Sequence, residues 1–270
     1  MDKNIKIYII THKKIDLPVS MKCYYPIQVG AYNKDKFLPL SDDTMDNIAQ
    51  ENDRFCELTA MYWIWKNALD SDYIGVCHYR RYYDLADSGF SRWFVRQYEY
   101  LWDHVFPEEA FDKINCADHI PAMLEKHDII LPELSKIKPS VEKQYQLDHD
   151  ETDLQILYDI LIKKYPEYYD AWNVIMHGKR MSIGNMFISK KEVFRQYMCW
   201  LFDILFEVKQ RIPPKTDLYQ NRTFGFMAER LLNIYVYHQR YSIQYVPMIF
   251  LGDRNYKVRL NLKDIIHKCK

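Results

Sequence analysis

The chain of 270 residues contains only 7 glycines. No G-x-G-x-x-G and no G-x-x-x-x-G-K-[ST] occurs, which excludes the glycine-rich loops of dinucleotide-binding and P-loop proteins. An excess of one charge is also lacking: Lys+Arg and Asp+Glu each total 37. A general nucleic-acid binder carries a basic surplus, so no nucleic-acid partner is expected. The six cysteines, Cys23, Cys56, Cys77, Cys116, Cys199 and Cys269, form no C-x-x-C pair and take no zinc-finger spacing to histidine. Cys77 is no phosphatase nucleophile, because Tyr83 stands six residues on, where that signature needs arginine. No run approaches the roughly 18 apolar residues of a membrane span. The first six residues lack the apolar core of a signal peptide. The expectation is a cytoplasmic chain with reduced thiols.

What is present is aromatic residues and two kinds of periodicity. Tyrosine and tryptophan combine an apolar body with a polar handle, which suits stacking on sugars or bases and core packing alike. Short runs rich in β-branched and aromatic residues predict strands at 5–10, 27–29, 73–76, 127–131, 183–188, 242–246 and 248–251. Helical spacing predicts helices at 52–69, 117–125, 151–164, 167–177, 190–211 and 222–239. Residues 32–51 and 136–140 read as loops, and 84–109 as a mixed segment, either a mobile or an acceptor-facing insertion. Asn52 is placed to cap the first helix. Phe55, Leu58, Tyr62, Trp65 and Leu69 give that helix a core stripe. In 190–211, Phe194, Met198, Leu201, Leu205 and Val208, with Trp200 nearby, form a second stripe suited to the core. If part of it were exposed, it would offer a peripheral contact with a membrane surface. The pattern is α/β early and helix-rich late. It reads as one domain over 1–270, with an α/β part at about 1–135 and a helix-rich part at about 136–270.

Candidate chemistry gathers at strand ends. In open α/β sheets ligands bind beyond the carboxyl ends of the strands. Thr11-His12-Lys13 follows the first strand, His78-Tyr79-Arg80-Arg81 follows the third, and Asn185 lies in the strand expected at 183–188. Arginine presents a planar fork of donors matched to phosphate, although Arg80 and Arg81 could equally pair with surface carboxylates. In the last long helix Arg222, Gly225, Phe226, Glu229 and Asn233 share one stripe. Glu229 is a candidate general base; a salt-bridge lattice with Arg230 is the alternative. Two Asp-x-Asp triplets occur. Asp70-Ser71-Asp72 precedes its strand, the wrong end for ligand chemistry. Asp148-His149-Asp150 sits in a polar segment with no strand before it, where a helix N-terminal acidic cluster is the expected role. Neither is expected to hold a metal, and His149 is left as a ligand contact.

Several blocks together resemble a bacterial family: Thr11-His12-Lys13, Tyr25-Pro26-Ile27, Asp46-Asn47-Ile48 with Asn52, Phe55-Cys56-Glu57-Leu58-Thr59, Cys77-His78-Tyr79-Arg80-Arg81-Tyr82, Asn185-Met186-Phe187-Ile188, and Arg222 with Gly225-Phe226 and Glu229. The family, of the DUF4422 type, occurs in capsule, exopolysaccharide and O-antigen gene clusters. It was first catalogued as a domain of unknown function, and its members are considered glycosyltransferases. The resemblance implies a GT-A-like nucleotide-sugar-binding sheet and a nucleotide-sugar donor, most simply UDP-linked. It also implies a lipid-linked oligosaccharide acceptor at the cytoplasmic face of the inner membrane. Thr11, His12, Lys13, His78, Tyr79, Arg80, Arg81 and Asn185 are then expected to bind the donor. Asn47, Asn52, His149 and Arg222 are expected to contact donor or acceptor. Where metal-dependent GT-A enzymes place Asp-x-Asp, this chain has His78-Tyr79-Arg80-Arg81. Metal independence, with no cofactor, is therefore expected; inverting transfer with Glu229 as base is favoured, with retaining transfer as the alternative. The alternative is a non-catalytic sugar-nucleotide or glycan-binding scaffold of the same machinery.

Overall fold

A computed structural model of the chain describes residues 3–15, 21–86, 114–115 and 117–250. Most of the segment expected at 84–109, from residue 87 on, lies outside these residues, as does Leu251.

The centre is a mixed sheet. β1 (Ile5–Thr11) runs parallel to β2 (Tyr24–Gln28) on one side and to β3 (Tyr73–His78) on the other. After a two-residue turn the chain comes back as β4 (Arg81–Tyr83), paired with β3 at His78 and Arg81. β5 (Ile129–Pro132) continues the sheet, and the small β6 (Ser135–Lys136) pairs with β7 (Arg180–Met181) beside it. β8 (Phe187–Lys190) runs antiparallel between β3 and β5. β9 (Ile243–Val246) lies parallel to β5, and β10 (Met248–Phe250) antiparallel to β4.

Alternation along the strands builds two cores. Ile5, Ile7 and Ile9 point to one face, while Tyr8 and Ile10 point to the other, because successive side chains in a strand face opposite ways. The smaller core is closed by α3 (Ile120–Lys126) through Ile120 and Leu124. The larger is covered by α2 (Leu58–Asn67) and by the helix-rich second half. That half comprises α4 (Val141–Asp148), α5 (Glu151–Lys164), α6 (Tyr169–Met176), α7 (Lys191–Arg211) and α8 (Thr223–His238). The stripe of Phe194, Met198, Leu201, Leu205 and Val208 is fully buried. It packs the core and offers nothing to a membrane surface. No helix among the described residues is long and apolar enough to cross a membrane.

The expected helix over 52–69 is broken. α1 (Asn52–Phe55) stops at Cys56, whose φ of 51° and ψ of −125° are not helical. Asn52 does not cap; its Nδ2 instead donates to the Cys56 carbonyl at 2.8 Å, an oxygen that also takes the Thr59 N–H at 3.3 Å. A side chain thus shares an acceptor that a continuous helix would give to the N–H four residues on. The strand expected over 183–188 begins only at Phe187, since Gly184 and Asn185 turn with φ of 92° and 51°. Part of the loop expected at 136–140 is strand, and a helix not anticipated follows it, with Ser140 Oγ accepting from Lys143 N. Asp148 therefore closes α4 and does not begin a helix, whereas Asp150 does cap α5, accepting from Thr152 N at 2.9 Å. The second strand lies at 24–28 where 27–29 was expected.

Gly75 sits where β1, β3 and β8 meet. A Cβ there would lie 2.8 Å from Ile188 Cγ1 and 3.3 Å from Ile7 Cγ1. Overpacking of this kind costs about 1–3 kcal/mol. Gly75→Ala is expected to lower the urea midpoint accordingly; an unchanged midpoint would mean that the sheet centre gives way freely.

Candidate functional site

β1 and β3 are parallel, so Thr11-His12-Lys13 and His78-Tyr79-Arg80 emerge side by side. β8 is antiparallel to β3, so the residues before it arrive at the same edge. The three expected strand ends converge, and His78 Nε2 meets the Gly184 carbonyl. Thr11 organises the edge from within: its buried hydroxyl donates to the Lys13 carbonyl at 2.6 Å and accepts from Lys13 N at 3.0 Å. His12 stands edge-on to Tyr79, ring centres 5.1 Å apart. Arg80 lies over the Tyr79 ring, 5.0 Å from its centre.

The end of β2 joins the same edge. Buried Asp42 accepts from Gly30 N at 3.0 Å and Ala31 N at 3.1 Å, and its Oδ2 also takes the Thr59 hydroxyl. Asn52 belongs to this support, for its Nδ2 also reaches Thr59 Oγ1 at 3.0 Å. Asn47 is spent within its own loop, donating to Met45 O at 2.9 Å and accepting from Ala49 N at 3.2 Å.

The rim is cationic. Partial burial lowers the pKa of His12, and Lys13, Arg80, Arg222 and Lys34 lower it further. Four cations thus act on this imidazole and disfavour its charged form. Arg222 enters from the start of α8, with its Nε 3.3 Å from Cys56 Sγ. Burial and the neighbouring Glu57 push the Cys56 thiol up to about 12, so no thiolate nucleophile operates here.

Two carboxylates flank the turn before β8. Gly184 N donates to Glu229 Oε1 at 2.9 Å. Asn185 Nδ2 donates to Glu57 Oε1 at 2.6 Å and to the Gly225 carbonyl at 3.0 Å. Glu57 belongs to the Phe55–Thr59 block but was not anticipated as a site residue, because a continuous helix gives no reason to aim it at the rim. The break at Cys56 does. Burial raises the pKa of Glu229; Arg230 opposes this, Glu57 adds to it, and Gly184 N and Arg81 oppose it. Arg230 Nη1 lies 3.1 Å from Glu229 Oε2, so the expected lattice contact also exists. A Cβ on Gly225 would meet Cys56 and Glu57 no closer than 3.6 Å; packing does not demand glycine there.

Arg80 and Arg81 part company. Arg80 belongs to the rim, whereas Arg81 faces a cavity of about 270 Å³ shared with Glu229 and Arg230. His149 lies further along α8, stacked on Phe226 with centres 3.9 Å apart and Nδ1 3.3 Å from Gln220 Oε1. Phe226 also lies under the Arg222 guanidinium, 5.6 Å from ring centre, so His149 borders the rim through one ring. Asp70 and Asp72 are at the opposite end of β3. They bind Lys6 Nζ and Asn4 N.

The profile of the family described as a domain of unknown function, DUF4422, matches residues 6–240. The chain belongs to this family. No curated protein matches it by sequence. Among solved structures, the DUF4422 chain is similar to the apo structure of WbbM, a bifunctional glycosyltransferase. The likeness has a TM-score of 0.79 at 28% identity and covers 93% of this chain but 46% of WbbM. The chain thus spans about half the length of that protein. The mixed sheet with its helical second half is the α/β arrangement expected of the family.

Asn185 allows the carboxylate bridge to be weighed apart from the backbone. Asn185→Gly keeps the left-handed turn and removes the side-chain bonds, which should cost about 1.5–3 kcal/mol for a contact with a charged group. Asn185→Ala should cost about 1–2 kcal/mol more, for placing a Cβ in the left-handed region. Urea unfolding reads both; an alanine variant as stable as the glycine variant would contradict this geometry.

Proposed function

We propose that this DUF4422 chain is a glycosyltransferase of cell-surface polysaccharide assembly. It moves a sugar from a UDP-linked donor to a lipid-linked saccharide, with inversion. The observation that carries the reading is the convergence of strand ends that brings His12 and Tyr79 together with the rim cations Lys13, Lys34, Arg80 and Arg222, next to a half-buried glutamate of raised pKa. The family membership and the likeness to WbbM support it.

In this reading the donor diphosphate lies against the rim cations, and the sugar reaches toward the turn at Gly184 and Asn185. An oxygen of the acceptor hydroxyl forms the new bond to the anomeric carbon. The bond from that carbon to the diphosphate oxygen breaks, and its electron pair stays on the diphosphate. Preorganised cations stabilise that growing charge. The hydroxyl proton passes to Glu229. Arg230 and Gly184 N hold the carboxylate in place, and its raised pKa makes it a better proton acceptor once ionised. Protein cations take the part that a divalent ion plays elsewhere, so transfer needs no metal. The lipid-linked acceptor places the reaction at the cytoplasmic face of the inner membrane.

Glu229→Gln keeps shape and removes basicity. It should retain nucleotide binding and lose transfer by roughly 10²-fold or more, the scale of general-base catalysis. The base must be ionised, and its pKa is raised, so the wild-type rate should fall with acid at a pH above the ordinary carboxylate range. That limb should vanish in the variant. A Gln variant transferring at the wild-type rate would remove Glu229 from the role. Activity should also persist in EDTA; loss reversed by manganese or magnesium would overturn the metal-free reading.

A further inference from the structure

The cavity on the far side of the Gly184–Asn185 turn has a charge pattern that the chemistry above does not use. It is bounded by Arg81, Lys136, Lys138, Gln144, Glu229 and Arg230. Arg230 and Glu229 neutralise one another at 3.1 Å, and Arg230 Nη2 is also held by Gln144 Oε1. Arg81, Lys136 and Lys138 remain. Among the described residues none of these three forms an ion pair. Three like charges thus converge on one space in a chain whose formal net charge is zero. Such a cluster repels itself and concentrates anions. Lys136 and Lys138 are exposed, and the backbone of Lys136 is paired with that of Arg180.

We infer that this cavity binds an anionic group, a carboxylate or a phosphate ester, carried by the saccharide acceptor. The inference rests on the glycosyl-transfer reading and specifies its acceptor. The donor diphosphate already has a matching set of cations on the other side of the turn. The turn separates the two sets: Asn185 is tied to Glu57 on the rim side, and Gly184 to Glu229 on the cavity side. Arg81 touches the divide, 3.4 Å from where a Gly184 Cβ would stand. An acceptor held by its anionic group against Arg81, Lys136 and Lys138 would bring a neighbouring hydroxyl beside Glu229. The volume of about 270 Å³ accommodates one sugar ring with its substituent.

The test uses the full chain, saturated with UDP, and isothermal titration with three probes: a disaccharide ending in glucuronate, the same disaccharide phosphorylated, and its neutral glucose counterpart. The wild type should bind at least one anionic probe tenfold or more tightly than the neutral one; which of the two prevails identifies the group. Lys136→Ala combined with Lys138→Ala should abolish that preference and leave the UDP titration as in the wild type. Both lysines are exposed, so the variant should fold, with unchanged melting as the check. Equal binding of all three probes by the wild type, or a preference that survives the double variant, would overturn the inference. A double variant with weakened UDP binding would also overturn it and assign the cavity to the donor. Failure of UDP itself to bind the wild type would instead count against the glycosyltransferase reading.

Discussion

The site depends on one turn. Gly184 and Asn185 adopt left-handed backbone just before a strand that runs against its neighbours, and this places them at the carboxyl edge of β1 and β3. There they hold two glutamates from distant parts of the chain, Glu229 through a backbone N–H and Glu57 through a side-chain amide. Hydrogen bonds to charged groups are typically worth about 1.5–3 kcal/mol, enough to offset the cost of drawing two carboxylates together. The remaining strain shows in Glu229, whose pKa is raised by burial and, after the opposing effect of Arg230, by Glu57. A carboxylate poised in this way is what proton abstraction from a sugar hydroxyl requires.

The turn also divides the positive charge. On one side burial lowers the pKa of His12, and Lys13, Arg80, Arg222 and Lys34 lower it further. On the other, Arg81 joins Lys136 and Lys138 around an open cavity. Consecutive arginines thereby serve different neighbourhoods, because the chain reverses between Tyr79 and Arg81. The balanced composition hides both clusters. In the mechanism proposed, the first receives the charge of the leaving diphosphate and the second orients the acceptor.

Much of this was legible in the residues. The first strand was read to within one residue of its end and the helix at 151–164 to the residue, because burial on one face leaves a clear period. The meeting of Thr11-His12-Lys13, His78–Arg81 and Asn185 followed from strand ends alone. The failures share a cause: side chains competing with the backbone ladder. Asn52 takes the Cys56 carbonyl at the break in a helix whose apolar spacing runs straight through. Glu229 takes the Gly184 N–H, and the strand starts late, at Phe187. Lys136 and Lys138 were passed over as loop, since a two-residue strand has no period to detect. Asn47 carried a family block yet serves only its own turn.

The most direct measurement is phosphorus NMR of the purified chain incubated with a panel of nucleotide sugars. The account predicts that one UDP-linked sugar slowly yields free UDP without acceptor, and faster once a saccharide acceptor is added. Binding of nucleotide sugars with no release of nucleoside diphosphate under either condition would contradict it and leave a binding scaffold in place of an enzyme.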